Sequence, residues 1–406
     1  MAIADVYVSK CAEYDKKKIK KTILEAFKEL GIDFSGYAKN SRILIKPNIL
    51  SQRKPEDCVT THPAVVDAVL DILTVDFKEK KFRIVIGESS GTSENRGTER
   101  GFATSGIKAV ADRYGIECRP FEKSDKIKID TKDLNESYHL KELTMPKELI
   151  DADIIINLPK MKTHVLMDYT GAVKNLFGLV SGNQKTMYHV QAPDKKSFSK
   201  VLADIYQYTV KETDRKQRDM ITIMDGIIGM EGNGPANGNP KKAELILVSK
   251  DGFALDIVAA NIMGYDTLNL AFVKELFSRS INPFPIQQKG IPKVKINFRK
   301  PVNLTDKIPN FLKKSIMKVM IKDPVISQDR CKRCLVCYNH CPAKTIHIIE
   351  DKKKDENGYA RHLEIHLDKC IHCFCCHELC PHDAIDLNRK RLFNPFDITR
   401  FFRKKK

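Results

Sequence analysis

The chain has 406 residues, of which 42% are hydrophobic, 30% charged and 8% aromatic, a composition typical of a globular protein and not of a disordered one. Its longest apolar runs are only a few residues long, which excludes an integral membrane protein. The first ten residues lack the pattern of a signal peptide. We therefore expect a cytoplasmic protein of two or three domains.

The net charge of +18 is concentrated in two short stretches of the chain. Residues 299–333 and 388–406 each carry a net charge of +7, and they flank the segment 331–380. A nucleic-acid-binding protein usually spreads its basic residues over the whole binding domain, so no nucleic-acid partner is predicted. Basic stretches that frame one small region instead favour docking to an acidic redox protein or an anionic surface.

The first 300 residues alternate short apolar segments with amphipathic ones. The predicted strands, in chain order, are Val6–Val8, Arg42–Ile45, Arg83–Ile86, Asp153–Asn157, Ile221–Met224 and Leu245–Val248. The predicted helices are Lys16–Leu30, His62–Leu73, Phe198–Thr213 and Ala254–Met263. Alternating strands and helices, with continuous β-branched runs in the strands, predict an α/β domain with a mainly parallel sheet flanked by helices.

The remaining chain divides into three segments of different character. An amphipathic helix is predicted over 308–322, where Pro309 suits the first turn, and we expect it to pack as a connector. A cysteine-rich segment and a basic, aromatic tail follow. The predicted organisation is an α/β domain, a connector, a small α+β domain and a tail, at residues 1–300, 301–323, 324–390 and 391–406.

The tail has the pattern of a short amphipathic helix. Ile398, Phe401 and Phe402 are spaced to share one face, with basic residues around them. Such an element fits an anionic membrane surface or the groove of a partner protein. Packing of the tail onto the protein itself is favoured, because an isolated helix this short is marginal in water.

Nine of the 12 cysteines lie between residues 331 and 380 and form a duplicated motif. The spacing C-x2-C-x2-C-x3-C occurs twice, each time followed by proline, and corresponding positions are 39 residues apart. The first copy is Cys331, Cys334, Cys337 and Cys341, and the second is Cys370, Cys373, Cys376 and Cys380. This is the spacing of bacterial two-cluster ferredoxins.

The spacing predicts two 4Fe-4S clusters with crossed ligand sets. In this arrangement the fourth cysteine of each copy ligates the other cluster. The first cluster is therefore assigned Cys331, Cys334, Cys337 and Cys380, and the second Cys370, Cys373, Cys376 and Cys341. Zinc does not suit this spacing. The extra Cys375 is predicted to be a spectator, with an alternative ligand or a redox-sensitive thiol as the other interpretation.

Charged residues follow three predicted strands of the α/β domain. Lys46 follows the second strand and Glu88 the third. Lys160, Lys162 and His164 follow the strand that ends at Asn157. Because parallel strands end at the same edge of a sheet, we expect these side chains to meet in one crevice. Lysines gathered there favour a small anionic substrate and acid–base roles.

A buried network of ion pairs is the other interpretation of the same residues, with Glu88, Asp225 and Glu231 as partners of the lysines. A mononuclear metal site of His164, Glu88 and Asp225 is a weaker alternative. For His62, which precedes Pro63, helix-entry chemistry is favoured over catalysis. The glycine-rich segment 232–238 lacks a phosphate-loop pattern and is predicted to be a surface turn or lid.

Several short motifs resemble those of a known family. They are Ile45–Asn48, Thr61–Pro63, Gly87–Ser89, Leu158–His164, Thr170–Gly178, Asp225–Gly226 and Met230–Pro235. This family is catalogued as domain of unknown function 362 and often carries a C-terminal ferredoxin module. The resemblance covers roughly residues 40–265. It implies an iron–sulfur, redox protein of anaerobic prokaryotes, without a defined substrate.

Two functions compete at this level. In the first, the protein is an oxidoreductase whose ferredoxin domain delivers electrons to an anionic substrate in the α/β domain. In the second, it is an electron carrier or adaptor, and the α/β domain only docks partners. The first is favoured because a carrier alone needs only about 60 residues, the length of a two-cluster module. Whether the α/β domain is catalytic stays open.

Overall fold

The computed structural model describes residues 3–91, 97–301, 322–351 and 360–389. The chain contacts divide it into two compact units, residues 1–301 and 302–406. The predicted tail at 391–406 lies outside the described residues, as does the connector helix up to residue 321. Lys322 and Asp323, assigned to the connector from the sequence, instead begin a strand. No helix within the described residues is both long enough and apolar enough to cross a bilayer.

The first unit contains twelve described strands and ten described helices. The strands are β1 (Ala4–Lys10), β2 (Arg42–Pro47), β3 (Arg83–Glu88), β4 (Glu117–Pro120), β5 (Lys126–Asp130), β6 (Glu142–Pro146), β7 (Ile154–Leu158), β8 (Lys160–His164), β9 (Asp168–Thr170), β10 (Asp219–Glu231), β11 (Asn239–Ser249) and β12 (Ile286–Gly290). The helices are α1 (Lys16–Glu29), α2 (Pro63–Asp71), α3 (Gly97–Thr104), α4 (Ile107–Arg113), α5 (Lys147–Asp151), α6 (Ala172–Asn175), α7 (Asn183–Gln191), α8 (Lys195–Arg215), α9 (Gly252–Ile262) and α10 (Ala271–Ser278).

Ten of these strands form one mixed, mostly parallel sheet. Its main path is β12-β1-β11-β10-β7-β2-β3-β4, and β8 and β9 extend from β10. The five strands from β10 to β4 along this path run parallel to one another. The predicted fold class is therefore confirmed. β11 is the exception among the predicted strands, because it runs antiparallel to both of its neighbours, β1 and β10.

Helices cover both faces of the sheet, which explains the continuous apolar runs in its strands. Successive residues of a strand point to opposite faces. In β2, Ile43 and Ile45 pack with α1 and α2, whereas Leu44 packs with the residues of α8 and α9. Ile154 and Ile155 of β7 separate between the two cores in the same way. A strand with two buried faces has no polar alternation to preserve.

The second unit is built twice from the same elements. It contains β13 (Lys322–Ile326), α11 (Val336–Asn339), β14 (Ile346–Glu350), β15 (Arg361–Ile365), α12 (Cys375–Leu379) and β16 (Ile385–Arg389). A shift of 39 residues places β13 on β15 and β14 on β16. The strands pair as β13 with β16 and β14 with β15, both antiparallel.

The backbone of the second unit repeats the same offset in its unusual residues. Positive φ angles occur in pairs that are 39 residues apart, with values between 48° and 61°. These pairs are Arg333 and His372, Leu335 and Phe374, and Lys344 and Asp383. Non-glycine residues rarely adopt such angles. Their repetition supports a duplicated loop geometry, in addition to a duplicated sequence.

Candidate functional site

Four cysteines from the two copies of the repeat line one cavity in the second unit. They are Cys331, Cys334, Cys337 and Cys380, the set assigned from the sequence to the first cluster. Ile326, Leu363 and Ile385 complete its apolar wall. Burial raises the pKa of Cys337 to about 12, and the neighbouring thiols raise it further. Thiolates gathered here therefore require positive charge, which iron supplies when a cluster is bound.

The other four cysteines of the repeat also lie near one another. Burial raises the pKa of Cys376 well above the ordinary value. Cys373, Cys337, Cys370 and Cys341 are close enough to raise it further. The pKa of Cys370 is likewise raised by burial, with contributions from Cys373 and Cys341. Cys337 belongs to the first set, so the two groups of thiols are neighbours.

Backbone amides point at three of the cysteine sulfurs. The amide of Thr345 donates to Cys341 Sγ at 3.3 Å, and the amide of Ala384 donates to Cys380 Sγ at 3.2 Å. These two bonds are equivalent under the 39-residue shift. The amide of His372 donates to Cys370 Sγ at 3.4 Å. Such donors stabilise thiolate sulfur and tune the reduction potential of a bound cluster.

The donor set fits an iron–sulfur cluster better than a single ion. Across the described parts of the chain, no three cysteine, histidine, aspartate or glutamate side chains come close enough to hold one metal ion. The alternative metal site of His164, Glu88 and Asp225 is therefore not formed. Thiols distributed around a cavity suit a cluster, in which each iron takes its own ligand.

The histidines beside the cysteines form their described hydrogen bonds with oxygen atoms. Nδ1 of His340 lies 2.9 Å from the Val336 carbonyl oxygen, and Nε2 of His372 lies 2.9 Å from Asp323 Oδ1. Nδ1 of His377 contacts the Ile385 carbonyl oxygen. The sulfur contact at His372 comes from its backbone. Cys375 is buried and interacts with Cys373, and its predicted role as a spectator stays a prediction.

In the first unit, Lys46 and Glu88 form a fully buried ion pair at the carboxyl edge of the sheet. Lys46 Nζ donates to Glu88 Oε2 at 2.5 Å, and the side chains are 0% and 2% exposed. The amides of Ile49 and Ser89 donate to the same carboxylate. Burial lowers the pKa of Lys46 and raises that of Glu88, while their mutual attraction opposes both shifts.

The family-like motif around residue 175 closes over this pair. Asn175 donates to the carbonyl oxygen of Lys46 and to Oδ1 of Asn157 at 2.7 Å, which ties β2 to β7. Gly178 packs directly on the ion pair, and a Cβ atom there would overlap both Glu88 Oε1 and Lys46 Nζ. The asparagine and glycine of this motif are thus explained by packing.

Lys160 forms a second buried ion pair, with Asp225. Lys160 Nζ donates to Asp225 Oδ2 at 2.8 Å and to the hydroxyl of Tyr14 at 2.7 Å. Asp225 also accepts from the Tyr14 hydroxyl and from the amide of His62. The His62 ring stacks on Tyr14 at a centroid distance of 3.6 Å, and burial lowers its pKa to about 4. Its Nδ1 caps α2 by accepting from Ala64, as the helix-entry interpretation expects.

Lys162 and His164 share a strand with Lys160. The segment was expected to be a loop, but it is β8, paired with β10 and β9. Alternate residues of a strand point to one side, so K-x-K-x-H places the three cations on one side. Lys162 Nζ donates to Asn48 Oδ1 and to the Val59 carbonyl, both at 2.7 Å. Burial lowers the pKa of His164 well below its ordinary value, with Lys174 and Lys162 adding to the effect.

The expected crevice of free lysines is therefore only partly realised. The five predicted residues lie at one edge of adjacent strands, but Lys46 and Lys160 are already neutralised by carboxylates. Glu231 does not partner a described lysine as the network interpretation proposed; it pairs with Arg299. The Gly232–Gly238 segment joins β10 to β11 and is largely buried, because Gly234 packs on the backbone of Thr163.

Cationic residues of α6 and α7 are part of this region, and sequence reasoning did not single out those of α7. Lys185 Nζ donates to the carbonyl oxygens of Ser89 and Ser90. Burial lowers the pKa of Lys185 to about 8, opposed by Glu88 and Glu122. Burial lowers the pKa of His189 to about 3, with Lys174 and Lys185 contributing. No motif in α7 signals these roles, because its partners come from β3 and α6.

Comparisons with known proteins agree with the cysteine site and with the motifs. A family model described as domain of unknown function (DUF362) matches residues 43–261, more than half of the chain. A model described as a 4Fe-4S dicluster domain matches residues 323–381. The first match covers the buried pairs of the α/β unit, and the second covers the duplicated cysteines.

A curated relative and a solved structure extend this picture unequally. A thylakoid-associated protein of Synechocystis sp. is 32% identical over 244 residues, which cover 60% of this chain and 69% of the relative. The lactate racemase apoprotein from Thermoanaerobacterium thermosaccharolyticum is 12% identical, with a TM-score of 0.37. That match covers 65% of this chain and 57% of the racemase chain. A structural likeness this weak carries no argument.

The family match thus coincides with the motifs whose packing the structure explains. The cysteines that face a common cavity fall in the region of the cluster-binding domain. The chain belongs to the DUF362 family and carries a 4Fe-4S dicluster domain in its carboxyl-terminal part.

Proposed function

We propose that this protein is a reductase in which two 4Fe-4S clusters deliver electrons to a small anionic substrate in the α/β unit. The dicluster domain makes it an iron–sulfur electron-transfer protein. The number of clusters, the reduction and the substrate are the parts proposed. When bound, each cluster exchanges one electron at a time, over a potential range set by its protein environment.

The observation that carries the cluster count is the equivalence of the two halves of the second unit. Each half offers the same cysteine spacing, the same positive-φ positions and a matching amide-to-sulfur hydrogen bond. The first set of thiols faces one cavity, and the second lies together beside it. A single cluster would leave half of this equivalent geometry without a ligand.

Support for an anionic substrate comes from positive charge at the carboxyl edge of the sheet. The described hydrogen bonds of Lys162 and Lys185 go to neutral oxygen atoms. Lys174 lies close enough to His164 and His189 to lower the pKa of both. Cations that depress one another's protonation are relieved by a bound carboxylate or phosphate.

The predicted electron donor is an acidic redox protein. The basic stretches at 299–333 and 388–406 motivate this proposal. Association through such charges is screened by salt, so the rate of reduction by an acidic ferredoxin should fall steeply between 50 and 500 mM salt, conditions that span roughly a threefold change in Debye length.

The second candidate function is that of an electron carrier or adaptor. One observation favours it: Lys46 and Lys160 are already paired with Glu88 and Asp225. In that case the α/β unit serves to dock partners. Anaerobically purified protein should then exchange electrons with partner proteins and reduce no small anion.

Reoxidation of the reduced protein distinguishes the two functions. The dithionite-reduced protein, freed of excess reductant, is mixed with a panel of phosphates and carboxylates, and cluster absorbance is followed. We expect a subset of anions to reoxidise the wild type and the Lys39→Gln control, which lacks an exposed lysine, but not Lys162→Gln. Cluster spectra should be the same in all three. Reoxidation by no anion, with fast reoxidation by protein acceptors, would establish the carrier.

The cellular location is also proposed, because the sequence predicts a cytoplasmic protein and the Synechocystis relative is named as thylakoid-associated. We propose peripheral contact with an anionic membrane through the tail at 391–406 as the alternative to a free protein. Sedimentation with anionic vesicles should then be stronger for the full chain than for residues 1–390. Equal sedimentation would leave the cytoplasmic prediction standing.

A further inference from the structure

An open cavity of about 870 Å³ lies in the α/β unit away from the lysine cluster. Its walls come from the amino-terminal ends of β2 and β3, from the segment after β4, and from α5. The lysine cluster occupies the opposite, carboxyl edge of the same strands. Cavities of this size hold small-molecule ligands. The position is unusual for a parallel sheet, whose ligands generally bind at the carboxyl edge.

The lining of this cavity carries more positive than negative charge. Its five basic residues are Arg42, Arg83, Arg119, Lys123 and Lys147, and its three acidic residues are Asp125, Glu148 and Asp151. Four of the basic residues form ion pairs with carboxylates. Arg83 is exposed and forms no ion pair with a described residue. The excess charge is thus located at Arg83.

Strand register places a second arginine directly beside Arg83. Arg42 of β2 is the register partner of Arg83 of β3. Side chains of register partners point to the same face, and like charges in this position destabilise a sheet. Asp151 neutralises Arg42 at 3.5 Å, but no described carboxylate does the same for Arg83. An anion bound between the strands would relieve the repulsion.

Three polar atoms of the lining have no hydrogen-bond partner among the described residues. They are Ser124 Oγ, Arg119 Nε and Glu148 Oε2. Ser124 is only 8% exposed. Buried polar atoms are nearly always satisfied, so three of them in one cavity indicate groups that a ligand or water completes. The hydroxyl and the guanidinium offer donors, and the carboxylate requires one.

We propose that this cavity binds a small organic anion through Arg83 and Ser124. Its phosphate or carboxylate group accepts from the Arg83 guanidinium and the Ser124 hydroxyl. A hydroxyl group on its body donates to Glu148 Oε2. Ile84 and Val85, which are half-buried in the wall, contact its carbon atoms. The site is separate from the lysine cluster, and its existence does not depend on the proposed reductase function.

Calorimetry on the full-length, anaerobically purified protein tests the proposal. The probes are glycerol 3-phosphate, glycerate, inorganic phosphate and glycerol, which separate the contributions of the anionic group and the hydroxyls. We expect saturable binding of one glycerol 3-phosphate or one glycerate per chain, and no binding of glycerol. Inorganic phosphate should compete if the phosphoryl group is recognised. Absence of saturable binding by both organic anions would overturn the proposal.

Matched variants locate the binding site. Arg83→Gln should weaken binding of the probe at least tenfold, because a charge-assisted hydrogen bond is lost. Ser124→Ala should weaken it several-fold. Lys17→Gln, which removes an exposed charge from α1, and Lys162→Gln should leave affinity unchanged. Equal affinity in Arg83→Gln and the wild type, or loss of binding in Lys162→Gln, would place the anion elsewhere and refute the site. Thermal unfolding without the probe verifies that each variant is folded.

Discussion

The two units use their reactive side chains in opposite ways. In the second unit, cysteines from distant parts of the chain face a shared cavity, and their thiols raise one another's pKa. In the first unit, lysines and carboxylates of neighbouring strands neutralise each other, as in the pairs of Lys46 with Glu88 and Lys160 with Asp225. A group of like side chains needs an external ligand, whereas a group of opposite charges can be complete by itself.

This difference explains why the motifs of the two units differ in what they reveal. The cysteine spacing identifies a cofactor, because the geometry exists to hold it. The lysine, glutamate and glycine motifs of the α/β unit identify a packing arrangement first. Gly178 and Asn175 are required by the buried pair beneath them and by no ligand on present observations. Family motifs of this kind locate a structural centre, and its chemistry must be tested separately.

The largest expected effect breaks the cysteine side of the comparison. Cys380→Ser removes a thiol from the first cavity, and we expect the iron content to fall from about eight to about four per chain, the counts for two and one 4Fe-4S clusters. Cys375→Ser should retain both clusters. Anaerobic iron assay and low-temperature EPR of the reduced protein provide the measurement.

Two results would contradict this assignment. Full iron content in Cys380→Ser would remove this residue from the ligand set. Loss of a cluster in Cys375→Ser would make Cys375 a ligand, against its predicted spectator role. A wild type with only about four iron atoms would contradict the second cluster itself.

The second prediction breaks the charge balance of the α/β unit. Lys46→Met leaves Glu88 buried without its cation, and we expect a loss of roughly 3–5 kcal/mol in the free energy of unfolding. The double variant Lys46→Met with Glu88→Gln should recover part of that loss, because no charge is then buried. Lys108→Met, which removes an exposed pair with Asp112, should cost about 0.5 kcal/mol or less. Denaturant unfolding followed by circular dichroism measures all three.

A third prediction sharpens the packing explanation of the family motif. Gly178→Ala introduces a Cβ atom that overlaps the Lys46–Glu88 pair, and we expect a destabilisation of about 1–3 kcal/mol. Gly36→Ala is the matched control, since a Cβ atom there meets nothing within 4 Å. Equal stability of the two variants would show that the pair moves aside freely and that the motif glycine has another purpose.

The smallest expected effect concerns pH. Burial lowers the pKa of His189 to about 3 in the folded protein, against about 6.5 when unfolded. Between these values the unfolded state binds a proton that the folded state does not, so stability falls as the pH falls. His189→Phe keeps a ring against Phe198, whose centroid lies 4.5 Å away, and removes this proton uptake.

Unfolding free energies at pH 7.5 and 5.5 test this sign. Relative to the wild type, His189→Phe should gain about 1.4 kcal/mol at pH 5.5 over its value at pH 7.5. His139→Gln changes an exposed histidine and should show no such gain. A wild-type and His189→Phe difference that is independent of pH would mean that His189 is protonated alike in both states.

Much of the fold followed from local patterns in the sequence. Continuous apolar runs located six strands of the sheet, because burial on both faces leaves a clear signature. The direction of β11 did not follow, because β10 and β11 form a hairpin, whose short connection reverses the chain. The strand character of β8 was hidden by its lysines, which are charged and yet buried.

The partners of the charged residues were less predictable than their positions. The common edge of Lys46, Glu88 and Lys160 follows from parallel strand order. The pairing of Lys160 with Tyr14 joins residues 146 positions apart, and no local pattern encodes such a contact. Lys185 and His189 were missed for the same reason. Sequence spacing identified residues that share an element and failed for residues that meet only after folding.

The 39-residue offset has a consequence for ancestry. One repeat by itself completes neither a strand pair nor the four-thiol cavity, because β13 pairs with β16 and Cys380 joins the cysteines of the other copy. Two identical copies related by a two-fold axis would complete both, since such an interface is self-complementary. A symmetric homodimer of half-length peptides is thus the ancestor that this architecture implies, and gene fusion converted its intermolecular contacts into contacts within one chain.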